Sequence, residues 1–226
     1  MAGKNKKTLQ NVINVHEHPM HVPVSNKNPS GVTIRDQHLR RVNGTYLNRE
    51  EIDSVFTNYD RKTLIYPSSK KLDFENCDNY DDIIAVWTDY FNRKFRADPY
   101  LDPDVIKALI ASESEFIENP PKNKKTLGIT QITLETFKAL QDPSGEVKEF
   151  IFNDIRKKDL KDPSINIPMA IRWLFRKKRL AEGKLGRAAD AEEIILEYKG
   201  LLRSKTDFKN SALKKFRKHY AELKKK

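Results

Sequence analysis

The stretch that most restricts how this chain can fold runs from Asp102 to Gln131. It opens with a helix start. Asp102 can accept hydrogen bonds from free backbone N–H groups, and Pro103 at the first helical position lacks the donor that would otherwise go unpaired. From there Ile106, Leu109, Ile110, Phe116 and Ile117 recur at helical spacing. Glu113 points the same way, because it lies seven residues after Ile106, four after Leu109 and three after Ile110. Glu115 falls on the opposite, wettable side. An unpaired buried charge is costly, so an inward Glu113 needs an explanation. Either it pairs with a buried Arg or caps a neighbouring helix, or an apolar wall keeps it protonated as a general acid. A loop with Pro120, Pro121 and several lysines then leads to Leu127-Gly128-Ile129-Thr130-Gln131-Ile132-Thr133 and a further helix.

Helical periodicity continues on both sides. Asn48 to Tyr59 reads as a short helix, with Asn48 and Glu51 spaced as a capping box and Ile52, Val55 and Phe56 as its buried stripe. Arg61 to Phe74 is either a hairpin-like connection or coil. Asn79 to Phe95 carries Ile83, Val86, Trp87, Tyr90 and Phe91 on one face, expected to be core. Asp81 and Asp82 suit the positive end of its dipole, Arg93 and Lys94 the negative end. Thr133 can cap a helix through Leu134, Phe137 and Leu140, which Asp142-Pro143-Ser144-Gly145 stops. Val147 to Ile155 is expected to be another short helix. Asn166 is expected to cap the next, leaving Pro168 harmlessly in its first turn. Asp190 and Glu193 form a second capping box ahead of Ile194, Ile195 and Tyr198, and Gly200 stops that helix. Leu213, Phe216, Tyr220 and Leu223 line one side of a C-terminal helix whose other side is basic, the pattern of a docking helix. The fold class is therefore mainly α.

Residues 1 to about 45 are polar and rich in proline; Val12-Ile13, Val22 and Val24 suit either short edge strands or an arm packed on the rest. His16, His18 and His21 with Glu17 suggest a metal, but no partner ligands at the usual spacing follow, so neither metal nor cofactor is expected. The single cysteine, Cys77, excludes an internal disulfide and a cysteine-based metal cluster. It is expected to be a small buried or linker residue. Net charge is +11 and mean hydropathy −0.73, so attraction to polyanions is expected. No run reaches the length of a membrane span. The first twenty residues have a charged start but neither an apolar core nor a small-residue cleavage site, so no signal peptide is expected.

Four segments together carry a resemblance. Ile110-Ala111-Ser112-Glu113-Ser114-Glu115-Phe116 resembles the "I-A-x-E-S-x-F" segment of the soluble lytic transglycosylases, relatives of goose-type lysozymes. Gly128-Ile129-Thr130-Gln131 is similar to their "G-L-M-Q" signature, Asp162-Pro163-Ser164-Ile165-Asn166-Ile167 to their "D-P-x-x-N-I" segment, and Glu197-Tyr198-Lys199-Gly200 to their "A-Y-N-x-G". Thr130 stands where the family has Met, Lys199 where it has Asn, and Lys125-Thr126 where it usually has Gly-Ala; the Ser usual in the preceding loop is absent. The resemblance covers roughly residues 100 to 205 and implies a lysozyme-like catalytic domain. Because the Asn79–Phe95 helix is expected to pack on the helix of Glu113, that domain is placed over residues 77–226, with a smaller N-terminal extension over 1–76.

It also implies a chemistry. Glycosidases usually need two carboxyl groups. Glu135, Asp142 and Asp154 are available as the second, yet no local pattern sets them inward. Lytic transglycosylases manage with one Glu, aided by the substrate's own N-acetyl group. By resemblance, Glu113 is the catalytic acid and then base, acting on peptidoglycan glycan strands and leaving a 1,6-anhydromuramoyl end. Ser114 would hydrogen-bond near it or cap locally, and Gln131 would meet an N-acetyl group. Tyr198 would close the site from the later helix and hydrogen-bond Glu113 or the sugar, and Lys199 would meet an anionic substrate group or solvent. Two alternatives stay open: a goose-type hydrolytic lysozyme with an inward Asp opposite Glu113, and an inactive basic module docking on nucleic acid or a partner. Nucleic acid is not the expected partner. Without a signal peptide, delivery by a phage or a specialised secretion system into the periplasm or cell wall is expected, as for an antibacterial effector with an immunity protein.

Overall fold

A computed structural model describes residues 12–15, 18–21, 32–35, 38–41, 46–69, 72–120, 125–147 and 149–225, with side chains from residue 46 onward. In the N-terminal part β1 (Val12–Val15) pairs antiparallel with β4 (His38–Arg41), and β2 (His18–His21) with β3 (Val32–Arg35). Val12-Ile13 thus lies in a strand, the first of its two expected forms. Val22, Val24, His16 and Glu17 lie outside the described residues, as do the side chains of His18 and His21.

β5 (Tyr46–Leu47) leads into α1 (Arg49–Asn58). Asn48 Oδ1 accepts from the Glu51 N–H at 2.9 Å and Glu51 Oε2 accepts from the Asn48 N–H at 2.8 Å, closing the expected capping box. Residues 60–69 are irregular. α2 (Asp81–Phe95) buries Ile83, Val86, Trp87, Tyr90 and Phe91, all in the core as expected. The Asn92 side chain donates to the Leu101 carbonyl at 3.0 Å and accepts from its N–H at 2.8 Å, fixing the turn into the next helix.

α3 (Pro103–Ser114) begins as the sequence indicates, with Asp102 Oδ1 accepting from the Asp104 N–H at 2.9 Å. It ends sooner than the apolar spacing suggests. Glu115 (φ 54°) and Phe116 (φ 62°) are both left-handed, and two such residues stop a right-handed helix. Phe116 is still buried, against Phe74 and Tyr80, but Ile117 is 52% exposed. On the other face of α3, Lys107 is fully buried. Its Nζ lies 2.6 Å from Asp78, 2.8 Å from Asp81 and 3.1 Å from the Ser68 carbonyl.

A small hairpin follows, β6 (Thr126–Leu127) antiparallel to β7 (Ile132–Thr133). Thr133 then caps α4 (Leu134–Gln141), its Oγ1 accepting from the Thr136 N–H at 3.1 Å. Residues 147 and 149–155 are not helical. Phe150 is left-handed (φ 55°), and β8 (Ile151–Phe152) pairs parallel with β5, so its backbone groups find partners in a strand.

The long α5 (Pro163–Leu185) runs against α1, α2, α4 and a short 3-10 turn at Lys157–Lys161. Its cap is Asp162, whose Oδ1 accepts from the Ser164 N–H at 2.9 Å, and not Asn166 as expected. Pro168 consequently lies inside the helix. α6 (Ala191–Tyr198) has the expected Asp190/Glu193 capping box and the left-handed Gly200 (φ 72°) just beyond it. α7 (Thr206–Lys224) lays Leu213, Phe216 and Leu223 along α3, so its docking partner is this same chain. Lys224 fastens the end of α7 to the start of α3 through Asp102 at 2.5 Å and Asp104 at 2.7 Å.

Leu47, Ile52, Val55 and Leu72 belong to the same core cluster as the helices after residue 77. Cys77 is buried in that cluster, its thiol 3.4 Å from the Leu72 carbonyl, and burial pushes the thiol above its ordinary range. Among the described residues no helix is long and apolar enough to cross a membrane.

Candidate active site

Glu113 sits in the last turn of α3, where the left-handed pair at Glu115 and Phe116 turns the chain away. Its side chain is 21% exposed, half-sheltered and still within reach of a ligand. The Lys199 ammonium, from the residue that ends α6, forms a close ion pair with Glu113 Oε1. Lys199 is therefore not free in solvent; its charge is directed at Glu113.

The β6–β7 hairpin supplies the next part. Gly128 is left-handed (φ 71°), and a Cβ there would come within 2.1 Å of the Leu160 carbonyl oxygen and 2.2 Å of Asn166 Nδ2. Only glycine fits. Asn166 holds the hairpin from α5. Its Oδ1 accepts from the Thr130 N–H at 2.9 Å and the Thr130 hydroxyl at 2.6 Å, and its Nδ2 donates to the Leu127 carbonyl at 3.1 Å. Thr130 and Asn166 are both fully buried, so the threonine hydroxyl is satisfied by the asparagine. Gly128→Ala is expected to destabilise the protein by more than the roughly 1–2 kcal/mol that a left-handed backbone costs, because the new methyl also collides with fixed backbone. Thermal melting beside the wild type measures this, and an unchanged melting temperature would contradict it.

Gln131, also left-handed (φ 52°), folds its amide back on the turn. Nε2 donates to the Gly128 carbonyl at 2.7 Å and Oε1 accepts from the Thr126 hydroxyl at 2.6 Å. A primary amide has two N–H groups and two lone pairs, so one donor and one acceptor site remain for a ligand. Tyr198 joins the hairpin to the acid. Its hydroxyl donates to the Thr130 carbonyl at 3.4 Å, and burial, with the nearby Glu113 charge, raises the phenol above its ordinary range.

Ser114 does not join this group. Its hydroxyl is buried and donates to the Ile110 carbonyl at 3.2 Å inside α3, the local bond that was one of its two expected uses. A residue at the end of a helix has its backbone carbonyls within reach, and the serine takes one. Glu135, Asp142 and Asp154 are all exposed. Among the described residues no group of three or more His, Cys, Asp or Glu side chains is placed to hold a metal ion. Asn166 is the contributor that the sequence reading assigned to another task. The available signal was its position on an apolar helix face between Ile165 and Ile167, where a buried amide needs partners.

Searches of curated proteins and of solved structures give no match. Residues 91–218 match the family described as "Transglycosylase SLT domain". This span takes in the end of α2, the Glu113 turn, the hairpin with its Asn166 anchor, Tyr198 and most of α7. It covers more than half of the chain, and the protein belongs to the transglycosylase SLT domain family.

Proposed function

We propose that this protein is a lytic transglycosylase that cleaves the β-1,4 bond between N-acetylmuramic acid and N-acetylglucosamine in peptidoglycan and leaves a 1,6-anhydromuramoyl end. The observation that carries this reading is one half-sheltered carboxylate, Glu113, beside Lys199 and Tyr198, while Glu135, Asp142 and Asp154 face solvent. In the first step Glu113 gives its proton to the leaving glycosidic oxygen, and the N-acetyl group of the muramic acid supports the positive anomeric carbon. In the second, the Glu113 carboxylate takes the proton from that sugar's 6-hydroxyl, whose oxygen attacks the anomeric carbon. No water is consumed. Digestion of purified peptidoglycan in ¹⁸O-labelled water tests the scheme. Product ends free of label support transfer, whereas label at the new ends means hydrolysis and a second carboxylate.

Between the two steps Glu113 is a carboxylate, and in our reading Lys199 is its counter-ion. Charge-assisted hydrogen bonds contribute about 1.5–3 kcal/mol, which corresponds to roughly 10–100-fold in rate. Lys199→Met is therefore expected to slow turnover by about that factor, with Lys199→Arg retaining part of the activity. Unchanged or faster turnover in Lys199→Met would sink this role. The same ion pair favours one second reading, a module that binds glycan without cutting it, because Glu113 must carry a proton to act as the acid.

A peptidoglycan substrate puts the place of work in the cell wall, and the chain's positive charge suits an acidic mesh. If the protein is an antibacterial effector, export to the periplasm will arrest growth for the wild type and not for Glu113→Gln. Normal growth with the exported wild type would count against a toxic role.

A further inference from the structure

A second group of charged side chains lies further along α5. Arg172, Arg176 and Arg179 share one face of the helix, and Arg172 is six residues beyond Asn166 and Arg179 thirteen. At 1.5 Å per residue this is about 9–20 Å along the axis from the hairpin anchor. The three arginines line a cavity of about 390 Å³ whose apolar wall is Phe95 and Phe175. That volume falls in the range of small-molecule sites.

Arg172 is 4% exposed. Its Nε and Nη2 donate to the Glu149 carbonyl oxygen at 3.0 and 2.8 Å, and among the described residues no carboxylate lies in ion-pair range of it. Its guanidinium carbon sits 4.7 Å from the centroid of the Phe95 ring, and that of Arg179 sits 5.0 Å from the same centroid. Two cations thus share one aromatic ring. Burial, then the neighbouring Arg179 charge, pushes Arg172 down to about 10 against the opposing pull of the Glu149 charge. Arg176 is the third cation, held at the rim by Glu146 at 3.1 Å. The other rim carboxylate, Glu149, holds Arg172 through its backbone and not its side chain.

A buried guanidinium that bonds no carboxylate oxygen and feels the Glu149 charge only at a distance, next to a second cation on the same ring, leaves positive charge that an incoming anion would complete. We propose that this cavity binds a small phosphate dianion, free or esterified to a small molecule, gripped by the open edge of Arg172 and the fork of Arg179. Phosphate fits better than a single carboxylate because its three terminal oxygens can accept from more than one guanidinium at once.

Calorimetric titration of the full chain with sodium phosphate, and separately with a sugar phosphomonoester, at ionic strength held constant with sodium chloride, tests this. Saturable one-to-one binding is expected, weakened at least tenfold by Arg179→Gln and unchanged by Arg203→Gln, an exposed arginine outside the cavity. Arg179 is itself exposed, so its replacement leaves the fold intact. Tighter binding of the sugar phosphate would assign an esterified ligand, and equal binding the free ion. No saturable binding, equal loss in Arg203→Gln, or full binding in Arg179→Gln would overturn the site. Glu113→Gln should bind phosphate as the wild type does, so this result stands or falls separately from peptidoglycan cleavage.

Discussion

Replacing Lys107 with Met is expected to destabilise the fold by about 3–5 kcal/mol, the usual cost of removing one partner from a buried ion pair. Lys107 is fully buried in α3, and its ammonium joins Asp78, Asp81 and the Ser68 carbonyl, three points on the loop and helix that precede it. Methionine fills a similar volume but offers no donor. Asp78 is 37% exposed and can turn to water; Asp81 is 13% exposed and cannot fully do so. Burial already outweighs the attraction of Lys107 and pushes the Asp81 carboxyl up to about 6. The folded state therefore binds more protons than the unfolded chain between pH values near 4 and 6, and this group's contribution to stability declines as pH rises through that window. Without Lys107 the folded-state value moves higher still. Denaturant unfolding at pH 4.5 and 7.5 should accordingly show a larger penalty at the higher pH, and adding Asp81→Asn should recover part of it. A loss below about 1 kcal/mol, the ordinary effect of a point mutation, or a penalty independent of pH, would contradict this account.

The parts of the fold that sequence reasoning reaches are those whose partners are near in the chain. The Asn48/Glu51 and Asp190/Glu193 boxes and the Asp102 and Thr133 caps each close within two or three residues, and each forms as expected. The aromatic face of α2 follows from its spacing alone. What escapes local reading is set by distant partners. Asn166 looks like a helix cap until Leu127 and Thr130, 39 and 36 residues earlier, are brought to it. Ile151 and Phe152 are extended because Tyr46 and Leu47 offer them an edge. Lys199 resembles any solvated lysine at a helix end, and only the fold places it on Glu113, 86 residues away. The sheltered placement of Glu113 follows from its spacing within α3.

Glu113→Gln is expected to lower the rate of glycan cleavage by about 10²–10⁴-fold, the range over which a positioned general acid and base contributes. Glutamine has nearly the same shape and can still accept from Lys199, so the melting temperature should hold while the proton supply is lost. Lys199 acts in this scheme only through Glu113. The double variant Glu113→Gln with Lys199→Met should then be no slower than Glu113→Gln alone, because residues that work as a unit do not contribute additively. Dye release from labelled peptidoglycan measures all four proteins. Multiplicative losses would show that Lys199 acts on substrate independently.

The most direct test is mass spectrometry of purified peptidoglycan after digestion by the wild type and by Glu113→Gln. The account predicts fragments with 1,6-anhydromuramoyl ends from the wild type and at least about a hundredfold fewer from Glu113→Gln in the same time. Reducing muramic acid ends from the wild type, or fragments in equal yield from both proteins, would contradict it.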